Sequence, residues 1–393
     1  MESSPSYIFE FGMNFLFYNA SIAVLTPFLQ LFLKAKGFSL TWIGSLIGSF
    51  ELAGIAGTLF LGNLLDGYGR YRAVMTASVG AVLVLFSLLY LNDAAWAALL
   101  CIIPMGFLYK PHFSLIDALA SSSMPRFEDN YGKARLAGSI GFVCVAAGIQ
   151  LTGWVTDASL PSIVAGFGIF ALLYMLSIQV LPGKPMHAAR PPLRFDPKSL
   201  TGLTPTFWLG LFVIFLMGLG ISSHYQFFSL YVRSRFQVDN VGGLWAIGPL
   251  AEIPFIFFSG KLIRRFGIAR LWMLSLAAAA LRLYLYVLSS SILPVYFLQL
   301  LHGITYGLMH TTSVAFIRRH SGSENRGLAM ALYIAFGIGF AGFIGGFLGG
   351  RIVELGGFAP LYLIYGTLPL GGALLVAAKR RRLDSPGAAA GQG

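Results

Sequence analysis

Residues 62–72 read GNLLDGYGRYR, and 198 residues further along the chain residues 260–270 read GKLIRRFGIAR. Each stretch is a short turn between two apolar runs, with glycine near its ends and arginine at its exit. Glycine lets the chain turn tightly at such a place, because it has no Cβ atom. Since the offset is about half of the chain length, the pattern indicates two copies of one helical unit.

The composition indicates a membrane protein. Of the 393 residues, 56% are apolar and 11% are charged, and the mean hydropathy is +0.75. Soluble domains have about a quarter of their residues charged, so this chain lacks the polar residues to cover itself in water. Apolar runs of about 20 residues recur along it, the length that crosses a bilayer core. The first run extends from Ile8 to about Leu33, which is too long for a signal-peptide core, and no cleavage site follows it.

We predict an all-α membrane protein with twelve transmembrane helices, at 8–33, 41–65, 73–91, 95–121, 135–156, 161–181, 205–232, 241–263, 270–289, 293–317, 327–350 and 359–377. An even number of spans places both termini on one side of the membrane. Nineteen Lys and Arg residues lie in the tails and loops of that side or at the span ends beside them, against five on the other side. The excess of positive charge predicts cytoplasmic termini. The net charge of +12 therefore reflects topology and contact with anionic lipid, and not nucleic-acid binding.

The longest polar stretch, PGKPMHAARPPLRFDPKSLTGLT, divides the chain in two. We predict an N-terminal six-helix bundle over 1–181, a cytoplasmic linker over 182–204, a C-terminal six-helix bundle over 205–383 and a disordered tail over 384–393. The two cysteines, Cys101 and Cys144, lie within predicted spans and indicate neither a disulfide framework nor a metal site.

Several ionisable residues fall inside the predicted spans. A charged side chain at the centre of a bilayer costs about 2.5–3.5 kcal/mol, so such residues are expected to be paired or to face a water-filled cavity. Three acids and three bases lie within spans or at their edges: Glu51, Asp117, Glu252, Lys110, Arg135 and Arg282. Four histidines accompany them: His112, His224, His302 and His310.

The stretch 107–117, FLYKPHFSLID, concentrates this polarity. Lys110, Ser114 and Asp117 are four and three residues apart, which places them on one face of a helix. Pro111 removes a backbone hydrogen bond there and is expected to bend the helix. A bent polar face at mid-depth suits a solute cavity. The alternative is that Lys110 only neutralises a nearby acid such as Glu51, and both interpretations can hold together.

The first turn, GNLLDGYGRYR, resembles the G-x-L-x-D-x-x-G-R-[KR] signature of the major facilitator superfamily, and the second turn resembles a degenerate copy of it. The resemblance implies two bundles of six helices. It also implies that this loop latches a cytoplasmic gate, which makes Asp66 and Arg70 the gating candidates. The alternative is a loop that serves topology alone.

Four stretches resemble the phenylpropionate-permease family, beside the lactose-permease group of proton symporters: SLIDALA (114–120), YGKARLAGS (131–139), LWAIGPLAEI (244–253) and LLHGITYGLMH (300–310). The likeness extends over essentially the whole chain. It implies that Asp117 and Arg135 are the acid–arginine pair that binds solute and that Phe142 stacks on it. It also implies that Arg282 and His302 belong to a proton-coupling site.

The chain departs from that group at Thr305, where lactose permease has an acid. If protons are coupled, another acid must carry them, and Glu252 is the best candidate. Burial disfavours the charged form of a carboxyl group, so such a group can load and release a proton near neutral pH. The alternative is that Glu252 is a static partner of Arg282. Lys110, His112 and Glu51 are unusual for the phenylpropionate family, which leaves the solute open.

These expectations describe a secondary transporter that works by alternating access, without an enzyme activity, a metal or a cofactor other than the coupling proton. We predict import of a small polar solute, either an aromatic carboxylate or a sugar-like molecule; the alternative is a proton-coupled exporter of the same fold. Asp117, Arg135, Lys110, His112 and Phe142 are the predicted solute ligands, and Glu252, His302, Arg282 and Glu51 the predicted proton-coupling residues. The protein is expected to act as a monomer in the bacterial cytoplasmic membrane.

Overall fold

The computed structural model describes residues 4–68, 70–124, 127–181, 200, 202–238, 240–322 and 325–385. Within them the regular structure is helical. The helices of the first half are α1 (Ser4–Ala35), α2 (Leu40–Tyr68), α3 (Tyr71–Leu91), α4 (Ala95–Tyr109), α5 (His112–Ser123), α6 (Phe127–Thr152) and α7 (Leu160–Ile178). Those of the second half are α8 (Pro205–Phe236), α9 (Gly242–Phe266), α10 (Ile268–Leu288), α11 (Ile292–Gln299), α12 (Met309–His320), α13 (Arg326–Ile334), α14 (Ala341–Gly356) and α15 (Phe358–Leu383), with π-helical segments π1 (Gly303–Leu308) and π2 (Ala335–Phe340).

Twelve helical stretches of the described chain are long and apolar enough to cross a membrane, from Tyr7–Ala35 to Phe358–Leu383. The prediction of twelve spans in an all-α membrane protein is confirmed. Four of the described spans are not single regular helices, and the twelfth of them is kinked at Lys379, whose backbone is non-helical. The fourth is divided into α4 and α5 at Lys110 and Pro111, because proline cannot continue the hydrogen bonding of the helix. The tenth and eleventh spans contain π1 and π2.

The chain forms two compact units. Unit 1 comprises Met1–Ser39, Ser49–Pro192 and Val232–Ala246, and unit 2 comprises Leu40–Gly48, Leu193–Tyr231 and Ile247–Gly393. Each unit therefore contains most of one half of the sequence and one short segment of the other. The predicted bounds of the two bundles stay predictions, because the linker and tail fall mainly on 182–199, 201 and 386–393, which lie outside the described residues.

The core of unit 1 is built around α1, which packs against α6 and α7. Its large aromatic side chains, among them Phe11, Phe15 and Phe28, are fully buried. In unit 2, α10 packs against α15, and the rings of Trp272 and Phe316 lie 4.7 Å apart in the buried core. These aromatic contacts fix the helices on which the ionisable residues stand.

Candidate functional site

Unit 1 holds a cluster of polar side chains around Arg135, on α5 and α6. Tyr131 and Arg135 are one helical turn apart on α6 and face Asp117 on α5. Arg135 Nη1 lies 3.3 Å from Asp117 Oδ2 and donates to the Tyr131 hydroxyl oxygen at 2.5 Å, while the Tyr131 hydroxyl donates to Asp117 Oδ1 at 2.6 Å. The structure thus brings together the acid and the arginine that the sequence predicts as solute ligands. We call Phe113, Asp117, Tyr131 and Arg135 the Arg135 cluster.

The Arg135 cluster is open to its surroundings. The side chains of Arg135 and Asp117 are 42% and 32% exposed, and the guanidinium group lies over the ring of Phe113 at 4.7 Å from its centroid. A guanidinium group binds carboxylates through paired N–H donors, and aromatic faces attract both cations and other rings. The cluster can therefore recognise a negatively charged group that is attached to an aromatic ring.

A second ion pair of unit 1 joins α2 to the break between α4 and α5. Lys110 Nζ donates to Glu51 Oε1 at 2.8 Å, and it lies 5.7 Å from the centroid of the Phe50 ring. Both side chains are partly exposed. The interpretation that Lys110 neutralises Glu51 therefore agrees with the geometry. The partial exposure also leaves Lys110 within reach of a solute.

The structure argues against His112 as a direct solute ligand. Its side chain is 0% exposed, and its ring nitrogens contact the hydroxyl groups of Ser78 at 2.7 Å and Tyr174 at 2.8 Å. The ring also stacks on that of Tyr18. His112 follows Pro111, so the bend in the span directs it into the helical packing while Lys110 turns towards α2. Phe142 is also buried, with 8% of its surface exposed. Stacking of Phe142 on a solute stays a prediction.

Unit 2 holds a buried polar cluster around Arg282 of α10, whose side chain is 0% exposed. Its guanidinium group donates to Gln299 Oε1 at 2.6 Å and to the Tyr286 hydroxyl at 2.8 Å, and it lies 3.3 Å from His224 Nε2. His302 Nδ1 lies 3.2 Å from Arg282 Nη1. A buried charge requires this density of partners, because each lost contact with water must be replaced. We call His224, Arg282, Tyr286, Gln299 and His302 the Arg282 cluster.

His302 connects the Arg282 cluster to Glu252 on α9. Its Nε2 lies 2.9 Å from Glu252 Oε1. A guanidinium group carries only donors, so His302 Nδ1 accepts from Arg282 and its Nε2 carries the proton that is donated to Glu252. The described partner of Glu252 is therefore His302, through a hydrogen bond, and not Arg282 directly as the alternative for Glu252 proposed. Arg282 acts on Glu252 through the imidazole ring.

The profile of a transporter family matches most of the chain: the MFS_1 like family, over residues 9–364. The chain belongs to the MFS_1 like family. It is accordingly a secondary transporter of the major facilitator superfamily and an integral membrane protein, and proteins of this fold are not enzymes.

Two curated relatives cover most of this MFS_1 like chain. The "Probable 3-phenylpropionic acid transporter" of Escherichia coli (strain K12) is 27% identical over 355 residues, which are 86% of this chain and 91% of the relative. The "Maltose permease" of Geobacillus stearothermophilus is 26% identical over 380 residues, 95% of this chain and 94% of the relative. A crystal structure of a mutant of the nucleoside transporter NupG superposes with a TM-score of 0.84 at 18% identity, covering 95% of this chain and 99% of that one. At that identity the structural match shows the fold alone.

The gating residues of this MFS_1 like protein are only partly described. Asp66 lies on α2, and its side chain falls outside the described residues. Arg70 is exposed and precedes α3. Their role in a cytoplasmic gate stays a prediction.

Sequence reasoning missed the neutral members of both clusters. Tyr131 and Tyr286 each stand four residues from the arginine they contact, and Gln299 lies on the neighbouring α11. The spacing of four residues is a signal that could have identified the two tyrosines, since such pairs meet on one helix face. Nothing in the sequence points to Gln299. His224 contacts Arg282 at 3.3 Å, and His310 contacts the Tyr333 hydroxyl at 2.7 Å.

Proposed function

We propose that this protein is a proton-coupled symporter that imports a small organic acid, with an aromatic carboxylate as the favoured solute class. The observation that carries the proposal is the partly exposed guanidinium group of Arg135 over the ring of Phe113. This arrangement offers a cation for the carboxylate and an aromatic face beside it. The name of the relative from Escherichia coli, which refers to 3-phenylpropionic acid, supports the same solute class.

A sugar-like solute is the second candidate. Asp117 is partly exposed and stands beside Arg135 and the Tyr131 hydroxyl, so the cluster offers acceptors and donors together. Such a set can bind the hydroxyl groups of a sugar. The maltose permease among the relatives supports this alternative.

The coupling proton is assigned to Glu252. The Glu252 side chain is 16% exposed, and its carboxylate accepts a hydrogen bond from His302. His302 in turn accepts a hydrogen bond from Arg282. Protonation of Glu252 would cancel the charge that balances Arg282, so it would change the electrostatics of the whole Arg282 cluster. A change of this kind is what a proton must produce in order to alter the preferred conformation of a transporter.

Transport into proteoliposomes tests the proposal. The purified protein is reconstituted, and uptake of radiolabelled 3-phenylpropionate and of maltose is measured with and without an inward proton gradient. We expect 3-phenylpropionate to accumulate above equilibrium only when the gradient is present. Accumulation of maltose alone would favour the second candidate. Equilibration of either solute without response to the gradient would exclude proton coupling. Accumulation of the solute only in inverted vesicles would favour the exporter.

We further propose that the protein lies in the bacterial cytoplasmic membrane with both termini in the cytoplasm and acts as a monomer. The distribution of Lys and Arg supports this orientation, since loops with excess positive charge stay in the cytoplasm. A reporter fused to the C-terminus that is active only in the cytoplasm tests it. Activity of a periplasmic reporter at that position would reverse the assignment.

A further inference from the structure

Each half of the chain carries an acid–base pair between its second and fourth spans. In unit 1, Glu51 on α2 contacts Lys110 at the end of α4, at 2.8 Å. In unit 2, Glu252 on α9 contacts His302 at the start of π1, at 2.9 Å. Each pair joins the second span of its half to the fourth. Glu252 follows Glu51 by 201 residues, close to the offset of 198 between the two repeated turns.

The backbone around each acid is also alike in the two halves. Gly106 of α4 packs against the backbone of Phe50, the residue before Glu51, so closely that a Cβ atom would not fit. Gly303 packs in the same manner against the backbone of Ala251, the residue before Glu252. Because glycine has no side chain, the two backbones can approach closely there. The acidic and basic side chains on the two spans are then near enough to contact each other. The close contact between the second and fourth spans beside the acid is therefore repeated in the two halves. The base differs in position, four residues after Gly106 at Lys110 and one residue before Gly303 at His302.

In each pair the base lies where its span stops being a regular α-helix. Lys110 is the C-cap of α4, directly before Pro111, and His302 directly precedes π1. Irregular segments of this kind recur at functional sites of membrane helices, because the backbone can adjust there. Both bases thus stand at a break in the fourth span of their halves, but Lys110 is 33% exposed whereas His302 is 8% exposed.

We propose that Glu51 and Lys110 form a second proton-exchanging pair, in which the carboxylate of the solute replaces Glu51 at Lys110 and the released Glu51 binds a proton. The inference rests on the proposed carboxylate solute. The exchange breaks the ion pair between Glu51 and Lys110 and forms one between the solute and Lys110. A proton from water then binds the Glu51 carboxylate, so that charge is conserved at the site and no redox step is needed.

The surroundings of Glu51 explain why it would take up a proton when released. Among the described residues, Lys110 lies within ion-pair distance of Glu51, and the Tyr18 phenol of α1 is a further titratable group that interacts with it. Tyr18 offers no positive charge. The Glu51 side chain is 23% exposed. A carboxylate that is partly removed from water and has lost its cation gains stability from binding a proton. The solute and the proton would then enter the site together.

The first test needs no solute. Infrared spectroscopy of the purified full-length protein detects the C=O stretch of a protonated carboxyl group. We expect Lys110→Met to gain a protonated-carboxyl band at neutral pH that is absent from the wild type, from Lys110→Arg and from the double variant Lys110→Met/Glu51→Gln. A Lys110→Met protein without the additional band overturns the proposal. Lys110→Arg keeps the positive charge but changes the side chain that packs against Gly54. It therefore shows whether an additional band comes from loss of the charge or from altered packing.

The second test uses 3-phenylpropionate as the probe. Protons taken up on addition of the probe are measured in weakly buffered solution for the wild type and for Glu51→Gln, with the exposed Asp93→Asn as control. We expect Glu51→Gln to take up about one proton fewer per bound probe molecule than the wild type and the control. Equal proton uptake by all three overturns the displacement step. Absence of probe binding overturns the proposed solute class and the displacement step, while the infrared result still decides whether Glu51 takes up a proton.

Discussion

The Nδ1 atom of His302 accepts a hydrogen bond from Nη1 of Arg282 at 3.2 Å. Because the arginine can only donate, this contact fixes the tautomer of His302 and directs the proton of Nε2 towards Glu252. Arg282 is fully buried, and the imidazole ring of His302 contacts both Arg282 and Glu252. The positive charge of Arg282 therefore acts on Glu252 across a single side chain. The relationship makes the stability of unit 2 and the proposed proton site depend on one arginine.

Replacement of Arg282 is therefore expected to be costly. Arg282→Met leaves Glu252 without the charge that balances it and removes the partner of Gln299, so we expect a loss of about 3–5 kcal/mol in the free energy of unfolding. The melting temperature in detergent measures the effect. Arg270→Met is the matched control, because Arg270 lies on the same helix and is exposed. If both variants melt at the same temperature, the Arg282 cluster does not stabilise unit 2.

Glu252→Gln is expected to separate coupling from translocation. The amide keeps the size and hydrogen bonding of the carboxyl group but cannot bind and release a proton. Accumulation of solute driven by a proton gradient should stop, while exchange of labelled for unlabelled solute continues. The readout is uptake and counterflow in the same proteoliposomes. Uphill accumulation at the wild-type level would assign the proton to another residue.

Arg135→Ala is expected to remove solute binding, because it deletes the charge that faces the carboxylate. Loss of a charge-assisted hydrogen bond corresponds to about 1.5–3 kcal/mol, so the affinity for the transported acid should fall at least tenfold. Isothermal titration or a thermal-shift assay measures it. Lys133→Ala on the same helix removes an exposed cation and should leave the affinity unchanged. Unchanged binding by Arg135→Ala would place the solute elsewhere.

A double-mutant cycle tests whether Glu51 and Lys110 are coupled. We expect Glu51→Gln and Lys110→Met each to destabilise the protein more than the double variant does, because each single change leaves a partly buried ionisable group that must stay unpaired or become neutral. Thermal unfolding of the four proteins gives the coupling. The pair of Arg380 and Asp384, which are 41% and 28% exposed and one helical turn apart, is the control and should couple by about 0–1 kcal/mol. Simple additivity at Glu51 and Lys110 would show that the two do not stabilise each other.

His112→Leu tests the structural role assigned to this histidine. The change leaves the hydroxyl groups of Ser78 and Tyr174 without the ring nitrogens they contact, so we expect a loss of about 1–3 kcal/mol in stability. The folded protein should bind solute with wild-type affinity, since His112 is fully buried. Reduced affinity at unchanged stability would restore His112 as a solute ligand.

The charged residues of the candidate site could be predicted from the sequence. Inside apolar spans a charged residue is expensive, so Glu51, Lys110, Asp117, Arg135 and Glu252 stood out without any structure. Neutral partners give no such signal. Tyr131 and Gln299 resemble many other residues of the chain, and their importance comes only from the arginine they contact.

The sequence by itself determined that twelve apolar helices cross a membrane, that the chain contains a repeated unit, and that buried ions must find partners. These properties follow from length, hydropathy and the cost of burying charge, which are local or additive along the chain. Only the tertiary structure decided the partners. In it Glu252 contacts His302, Lys110 contacts Glu51, and His112 is buried between helices. These outcomes depend on which faces of distant helices meet, and that is not a local property of the sequence.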